Sequence, residues 1–510
     1  MATRKLLSGP ITLCEAKEKG FNVVHQLEYP QLKRAFFRRL EGQIDVIRTI
    51  VAHHLYVDPA NCNVSPPENW RHGSFNVCVP ARVDVPGLTQ PRFIMVRFPL
   101  PYRVGEATRP GNADEKLRCE AATYAWLQEH CPSVPIPHLY GVGFSTGQQL
   151  THVSHLPWWS RWLHGLQRYF RVLLGMSCST HYIPHRSSNL SSLKLGYLVI
   201  ETITECEGSM LSSSWDENHE DDRLQSNLQR SLARILLSLA AVPLPRIGAF
   251  RLDDVGCIHL DNRPLSTEVI MQENEGLPLR VPRYTTYTRA DDFVLAQLDA
   301  FDNRLLHQPN TVTSEIDGRF EIAGLAGARA IFPQMLRSDL RSGPFVCSLT
   351  DLHRSNIIVD NDWNIVRIID LEFTCSWPLE FQQPPYWLGG QSADEVDHDS
   401  FGSFYDRFVQ ILEEEEELLT TRPAEKLSSI MRRAWASGTF WLALAIQDPM
   451  IFSSIFWYRI IPYQFSLAID HTTDFSLLAS LWGRPHIIDK KLQDHRQYLN
   501  KLESIFMESD

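Results

Sequence analysis

Apolar residues follow two spacings along the 510-residue chain, one typical of strands and one typical of helices. Short apolar runs bounded by turn residues predict β-strands at 70–80, 92–101, 135–143 and 195–203. A stripe with a spacing of three or four predicts a buried helix through Leu224, Leu228, Leu232, Ile235 and Leu239. We therefore expect an α+β protein in which a sheet comes first and helices dominate the second half.

Two charged residues occupy positions that the pattern assigns to the interior. Arg97 lies in the middle of the strand at 92–101, and Glu120 falls on the apolar face of the following helix. That helix is expected to begin with a capping box from Asn112 to Glu115 and to end near position 130. A buried charge is costly when it is alone, so we expect Arg97 and Glu120 to pair. The alternative is a Glu120 that reaches solvent from the edge of the face.

The segment at 151–190 interrupts the strands with an aromatic and basic amphipathic helix. Its apolar positions are Trp158, Trp159, Trp162, Leu163, Leu166, Phe170, Leu173 and Leu174. Arginines are interleaved with them at 161, 168 and 171, and the histidines at 152, 155, 164 and 181 lack metal-ligand spacing. The pattern favours packing on the rest of the protein. Contact with a membrane surface, or a cover over a substrate cleft, stays open as an alternative.

The composition is that of an ordinary soluble globular protein, with 44% hydrophobic and 21% charged residues. A net charge of −11 argues against nucleic acid as a partner. The ten cysteines form no CxxC pair, which favours a reducing, cytoplasmic location. No secretory signal is evident, whereas mitochondrial targeting stays open because residues 1–5 are basic. The apolar run at 434–447 is too short to span a membrane.

The most informative stretch is residues 344–372, where an apolar run ends in a polar loop and a hairpin follows. Asp351 and Asn356 lie five positions apart on the loop, and Asp370 follows the last strand. Phosphoryl transfer needs such a set: one aspartate to accept the hydroxyl proton of the acceptor, and an asparagine with a second aspartate to hold Mg²⁺. Carboxylate and amide oxygens suit this hard cation. We expect Asp351 as the base and Asn356 and Asp370 as metal ligands.

These residues resemble the loop of the aminoglycoside phosphotransferase and choline kinase superfamily, which reads H-G-D-x-H-x-x-N followed by I-D-x-E. The chain looks closest to a fungal branch in which the loop reads L-T-D-L-H-x-S-N. Leu349 and Thr350 replace the first His and the Gly of the superfamily pattern, whereas His353 keeps the second His. The resemblance covers about residues 60–400.

The resemblance implies a bilobal protein-kinase-like fold with an antiparallel-sheet N-lobe and a mainly helical C-lobe. The expected divisions are an N-terminal helical extension at 1–58, an N-lobe at 59–205 containing the 151–190 insert, and a C-lobe at 206–510. The implied cofactors are ATP and Mg²⁺. The expected nucleotide-binding residues are Gly73, Ser74, Phe75 and Asn76 in a phosphate-covering hairpin, Arg97 on the phosphates, Glu120 as its support, and Glu201 to Ile203 near the adenine.

The expected activity is transfer of the γ-phosphoryl group of ATP to a hydroxyl of a small molecule. In relatives the region after Glu372 lines the acceptor pocket, and its acids, Asp394, Glu395, Asp397 and Asp399, would favour a cationic acceptor. Residues His353 and Glu372 are expected to support the loop. Two alternatives remain: a nucleotide-binding pseudokinase scaffold, which Leu349 and Thr350 would permit, and a protein kinase. Residues 373–400 contain no Ala-Pro-Glu segment, which disfavours the latter.

Overall fold

The computed structural model describes residues 3–85, 87, 89–174, 180–187, 190, 193–279, 281–420, 425–467, 469, 473–482 and 486–507. Antiparallel pairing joins its strands into one large sheet and several small ones. The strands are β1 (Thr3–Leu6), β2 (Gly9–Thr12), β3 (Cys62–Val64), β4 (Arg71–His72), β5 (Asn76–Val83), β6 (Arg92–Pro99), β7 (Leu139–Gly143), β8 (Gln149–His152), β9 (Tyr182–Pro184), β10 (Tyr197–Glu201), β11 (Ser209–Met210), β12 (Ala249–Leu252), β13 (Ile258–Asn262), β14 (Phe345–Ser348), β15 (Ile357–Val359), β16 (Ile365–Ile368) and β17 (Cys375–Pro378).

Helices dominate the chain after β11, as the apolar spacing predicts. The α-helices are α1 (Leu13–Glu18), α2 (Val23–Gln26), α3 (Tyr29–Glu41), α4 (Ile44–Leu55), α5 (Asn112–His130), α6 (Trp158–Leu173), α7 (Leu211–Asn218), α8 (Asp222–Ala240), α9 (Thr267–Asn274), α10 (Ala290–His307), α11 (Glu315–Met335), α12 (His398–Glu417), α13 (Leu427–Ser437), α14 (Thr439–Ala445), α15 (Pro449–Ile455), α16 (Ile461–Phe465), α17 (Ser476–Ser480) and α18 (Ile487–Met507). Within the described ranges, none of these helices combines the length and apolar character needed to cross a bilayer.

The large sheet has the strand order β3-β5-β6-β10-β7-β8-β9, and β4 also pairs with β5. Its central strands confirm the runs predicted at 70–80, 92–101, 135–143 and 195–203. Arg97 lies in β6 directly opposite Cys78 of β5 and Leu198 of β10. The position is therefore flanked by strands on both sides, and its side chain must find a partner within the protein.

One face of the sheet packs against α3 and α4, and the other packs against α5. The apolar layer under α4 joins Ile47, Ile50 and Val51 to strand residues such as Val79 and Val96. Packing here is close: a Cβ on Gly141 would fall 2.1 Å from Nδ1 of His54, whose ring is fully buried. A side chain at position 141 would collide with this ring, so β7 requires glycine where it passes α4.

Helix α5 connects the sheet to the helical part of the chain. Leu117 and Ala121 share an apolar cluster with Leu198 of the sheet and with Leu239 of α8. A larger apolar core among the later helices contains the first part of the predicted stripe of α8, including Leu228 and Leu232. The mixed composition of antiparallel sheets and helices agrees with the expected fold class. The bilobal arrangement and the divisions at 58/59 and 205/206 stay predictions.

The N-terminal capping box expected on α5 is wrong. The residue before the helix is Gly111, in a left-handed conformation, and it provides no side-chain cap. Glu115 instead accepts hydrogen bonds from Nε and Nη2 of Arg263, both at 2.9 Å. Arg263 also donates to Glu273 of α9, with Nη1 2.8 Å from Oε1. A buried arginine therefore joins α5 to the helical part, which sequence spacing did not reveal.

Replacing Arg263 tests how strongly this junction stabilises the fold. Arg263→Ala should lower the free energy of unfolding by about 3–5 kcal/mol, because it leaves the carboxylate of Glu273 buried without a cation and leaves Glu115 with Arg283 as its remaining ionic partner. Urea unfolding followed by circular dichroism measures the loss. Arg223→Ala is the matched control, since Arg223 and Asp362 form an ion pair that is largely exposed and should contribute little stability. Equal losses in the two variants would contradict the assignment.

Candidate active site

The polar loop of residues 350–356 is held between two strand pairs. Strand β14 leads into it and pairs with β17, a partner that the sequence did not predict. A 3₁₀ turn at Arg354–Asn356 leads out of the loop into β15. Strands β15 and β16 form the predicted hairpin, with Ile357 opposite Ile368. The backbone NH of Ile369 donates to the carbonyl of Asn356 at 2.9 Å, so the end of β16 lies beside the loop.

Asp351 and Asn356 contact each other across the loop. The Asn356 Nδ2 donates to the Asp351 backbone carbonyl at 2.9 Å and lies 3.3 Å from the Asp351 carboxylate. Because these bonds use the NH₂ group, the amide oxygen of Asn356 is the atom left to accept or to ligate. Thr350, at the position of the Gly in the superfamily pattern, also helps to hold the loop, because its hydroxyl donates to the Phe373 carbonyl at 2.6 Å.

Asp370 follows β16 and has a positive φ of 65°. Such a backbone conformation is uncommon for residues other than glycine, and it recurs at functional sites where surrounding contacts enforce it. The side chain is about one-third exposed and bonds to Arg97. The strand end therefore directs its carboxylate towards the large sheet rather than away from it.

Arg97 is the centre of a buried cluster of three carboxylates. Its Nη1 donates to Glu120 Oε1 at 2.8 Å, which confirms the predicted ion pair. Its Nη2 donates to Glu372 Oε2 at 2.8 Å and to Asp370 Oδ1. Glu120 is fully buried, so the solvent-exposed alternative for this residue is wrong. One guanidinium thereby joins β6, α5 and the segment after β16.

A second cation in the cluster, Lys116, was missed by sequence reasoning. The Lys116 Nζ donates to Asn76 Oδ1 at 2.7 Å and forms an ion pair with Glu372, and its side chain is fully buried. Asn76 in turn donates to Glu372 Oε2 at 2.6 Å. Lys116 precedes Glu120 by four residues, so it faces the same side of α5. That spacing was the signal that could have identified it.

Burial and mutual repulsion shift the pKa values of the acids. Burial raises the pKa of Glu120 to about 7, against the opposing effect of Arg97. Burial and then the neighbouring Asp370 raise the pKa of Glu372. Burial would also raise the pKa of Asp370, but the Arg97 guanidinium outweighs it and holds the pKa below its ordinary value. The lowered pKa keeps Asp370 ionised at neutral pH.

Asp351 is also perturbed. Burial, followed by the charges of Asp370 and Glu372, raises its pKa to about 7. A carboxylate with this pKa is partly ionised near neutral pH and is more basic than an ordinary aspartate. These are the properties that a general base requires.

The hairpin of residues 73–76 connects to the same cluster. Gly73 donates its backbone NH to the Asn76 carbonyl at 3.0 Å, which closes the turn between β4 and β5. Phe75 contacts Phe373 edge to face, with ring centroids 5.4 Å apart. Gly73 and Ser74 lie exposed at the tip. The turn therefore contacts the segment after β16 through Phe75, which meets Phe373, and through Asn76, which donates to Glu372.

The predicted adenine-binding segment follows β10. The Glu201 carboxylate accepts the backbone NH of His138 at 3.1 Å, and Thr202 donates its backbone NH to Phe93. Ile203 is partly exposed beyond this point. Near it the fold joins His138 to His155, with their Nε2 atoms 3.0 Å apart. A hydrogen bond between neutral rings accounts for this distance.

A cavity of about 330 Å³ opens beside Asp351. Its acidic lining residues are Glu268, Glu275 and Asp448, and its aromatic ones include Tyr386 and Trp387. Burial raises the pKa of Glu275 to about 7 and also raises that of Glu268. The acids expected at 394–399 are not among the lining residues; Asp397, for example, caps α12 by accepting the Ser400 NH. The cavity is therefore acidic, as predicted, but Glu268, Glu275 and Asp448 line it instead of the acids at 394–399.

A double-mutant cycle tests the Arg97–Glu120 pair without any assay of activity. Arg97→Met and Glu120→Gln should each destabilise the protein, because each leaves buried charges or polar groups without a partner. The double variant should cost less than the sum of the two by ~1 kcal/mol or more in urea unfolding. A second cycle on the half-exposed pair of Arg432 and Glu413 is the control and should be close to additive. Additive losses at Arg97 and Glu120 would show that the two residues act separately.

No family model matches the chain, and no curated protein matches it. Among solved structures, a chain described as macrolide 2'-phosphotransferase type I is similar to it over 83% of this chain and 97% of that chain, with 14% sequence identity and a TM-score of 0.35. A likeness of this strength carries no conclusion about activity. The superfamily resemblance and its fungal branch therefore stay predictions from the sequence.

Proposed function

We propose that the protein transfers the γ-phosphoryl group of ATP to a hydroxyl group of a small molecule. The observation that carries this proposal is the grouping of Asp351, Asn356 and Asp370, with Asp351 lining a cavity and Arg97 bound to Asp370. Each has the chemical character that phosphoryl transfer requires: a base, two oxygen ligands and a fixed cation. The geometry of the site and the loop motif together support this activity.

The donor set fits Mg²⁺. Asp370 and the amide oxygen of Asn356 are hard oxygen donors. The cluster that contains Asp370 has two cations, Arg97 and Lys116, and three carboxylates. One oxygen atom of each carboxylate lies within 4.8 Å of an oxygen atom of each of the other two. When all are ionised, one negative charge is left in excess, which favours an added cation. Asp370 and Asn356 would hold Mg²⁺, which would neutralise charge on the phosphate oxygens.

The residues of the chain would divide the reaction between them. Asp351 accepts the proton of the acceptor hydroxyl as the acceptor oxygen bonds to the γ-phosphorus and the bond from that phosphorus to the β–γ bridging oxygen breaks. Arg97 would orient the phosphates, and its three carboxylate partners fix the guanidinium before the nucleotide arrives. The hairpin of Gly73, Ser74, Phe75 and Asn76 would cover the phosphates, and the backbone from Glu201 to Ile203 would bind adenine.

A cationic acceptor best suits the cavity. Ionised Glu268, Glu275 and Asp448 would attract an ammonium group, and the rings of Tyr386 and Trp387 would stabilise it further. Arg304 offsets part of this charge, since its Nε lies 3.9 Å from Glu268. We therefore propose an amino alcohol or an amine-bearing sugar as the class of acceptor.

Asp351→Asn tests the base. Turnover should fall at least ~10²-fold, whereas ATP affinity should change little, because the base acts in the transition state. ADP release across a panel of amino alcohols, sugars and aminoglycosides measures the rate, and calorimetry measures binding. The parent rate should rise as the pH increases through about 7, where Asp351 loses its proton, and the variant should lack this rise. Normal turnover of Asp351→Asn would exclude this residue as the base.

Asp370→Ala tests the metal site. The variant should lose the Mg²⁺-dependent part of ATP binding, because it removes the carboxylate that we assign to the ion. Calorimetry in Mg²⁺ and in EDTA measures the difference. Asp362→Ala, in the exposed turn of the same hairpin, is the control and should keep the dependence. Equal affinity of the parent protein for ATP with and without Mg²⁺ would overturn the assignment and favour a pseudokinase.

A further inference from the structure

Helix α6 presents its apolar face to solvent. Trp158 is 73% exposed, Trp162 is 61% exposed and Leu173 is 62% exposed. The other exposed large hydrophobic residues of this segment are Trp159, Leu163, Tyr169, Phe170 and Leu174. The prediction that this face packs on the rest of the protein is therefore wrong. A contiguous apolar surface of this kind is typical of an interaction site.

The polar face of α6 packs against the protein instead. His164 is buried there, and Arg168 forms an ion pair with Glu129 at 3.4 Å. Arg171 Nη1 donates to the sulfur of Cys257 at 3.2 Å. Rotating the helix to bury its tryptophans would break these contacts and expose His164. The orientation is therefore fixed by contacts on the polar side.

Two strands of the large sheet flank α6 in the sequence. Strand β8 precedes α6 and strand β9 follows it, and the two strands pair with each other, with His152 opposite Tyr182. The insert therefore leaves the sheet and returns to it at one edge. Such anchoring keeps the apolar face turned outwards when the rest of the protein is folded.

The charge and composition of α6 indicate what covers its apolar face. The helix contains three arginines and no acidic residue, although the whole chain carries a net charge of −11. Arg161 is exposed on the flank of the apolar face. Tryptophan is enriched where membranes meet water, since its ring is apolar and its NH is polar. At 16 residues, or about 24 Å, the helix suits the plane of an interface rather than a span.

We propose that α6 binds the protein to the surface of an anionic membrane, with its tryptophans inserted among the lipids and Arg161 near the headgroups. Burial of the aromatic side chains among the lipids would provide the apolar part of the binding free energy. Attraction between Arg161 and anionic lipids would add a contribution that salt weakens. The contact needs no nucleotide, so it is independent of the phosphotransferase proposal.

Sedimentation of the full chain with vesicles tests this inference. The parent protein should pellet with vesicles of phosphatidylcholine and phosphatidylserine, less with phosphatidylcholine alone, and less at high salt. The double variant Trp158→Asp with Trp162→Asp should pellet at least about tenfold less. The matched control is Leu477→Asp with Leu481→Asp, which changes two equally exposed residues elsewhere and should pellet like the parent protein.

Further measurements distinguish a membrane from a second protein molecule as the partner of the apolar face. Circular dichroism and urea unfolding should be unchanged in the tryptophan variant, since both side chains are exposed. If that variant failed to fold, Arg161→Glu would replace it in the test. Arg161→Glu should reduce binding to anionic vesicles and leave binding to phosphatidylcholine vesicles unchanged. Sedimentation velocity without lipid should show a monomer. A parent protein that fails to pellet with anionic vesicles, or a dimer that the tryptophan changes dissociate, would overturn the proposal and assign the face to protein contact.

Discussion

The contact of Arg97 with three carboxylates is the constraint on which the candidate site depends. The partners come from two parts of the chain: Glu120 from the helix on the sheet, and Asp370 and Glu372 from the segment after the hairpin of β15 and β16. None of these groups could be buried alone without a large loss of free energy. Their mutual neutralisation therefore fixes the sheet, α5 and the hairpin relative to one another.

The same cluster controls the chemistry of the neighbouring loop. Burial, and then the charges of Asp370 and Glu372, raise the pKa of Asp351, which makes this residue a better proton acceptor near neutral pH. The cluster also suits an added cation, because its three carboxylates, when all are ionised, exceed its two positive charges by one. One set of residues thus supports the fold and shifts the pKa of Asp351, so substitutions there are expected to affect both stability and the protonation of that loop residue.

Helix α6 follows the opposite physical rule. At the site, polar groups are buried because they satisfy one another, whereas on α6 apolar groups are exposed although burial would stabilise them. The polar side of the helix bonds to the protein, and the apolar side is left for a partner. An amphipathic pattern indicates two faces but does not specify which of them meets the protein, since both solutions satisfy the same spacing.

The sequence alone determined the elements and much of the site. Local spacing predicted the strands, the stripe of α8 and the hairpin of β15 and β16, and the cost of burying one charge predicted the pair of Arg97 and Glu120. Only the tertiary structure revealed Lys116, the junction at Arg263, the acids of the cavity and the outward face of α6. These features join residues that are distant along the chain, and their partners are chosen by burial and charge in three dimensions, which periodicity does not encode.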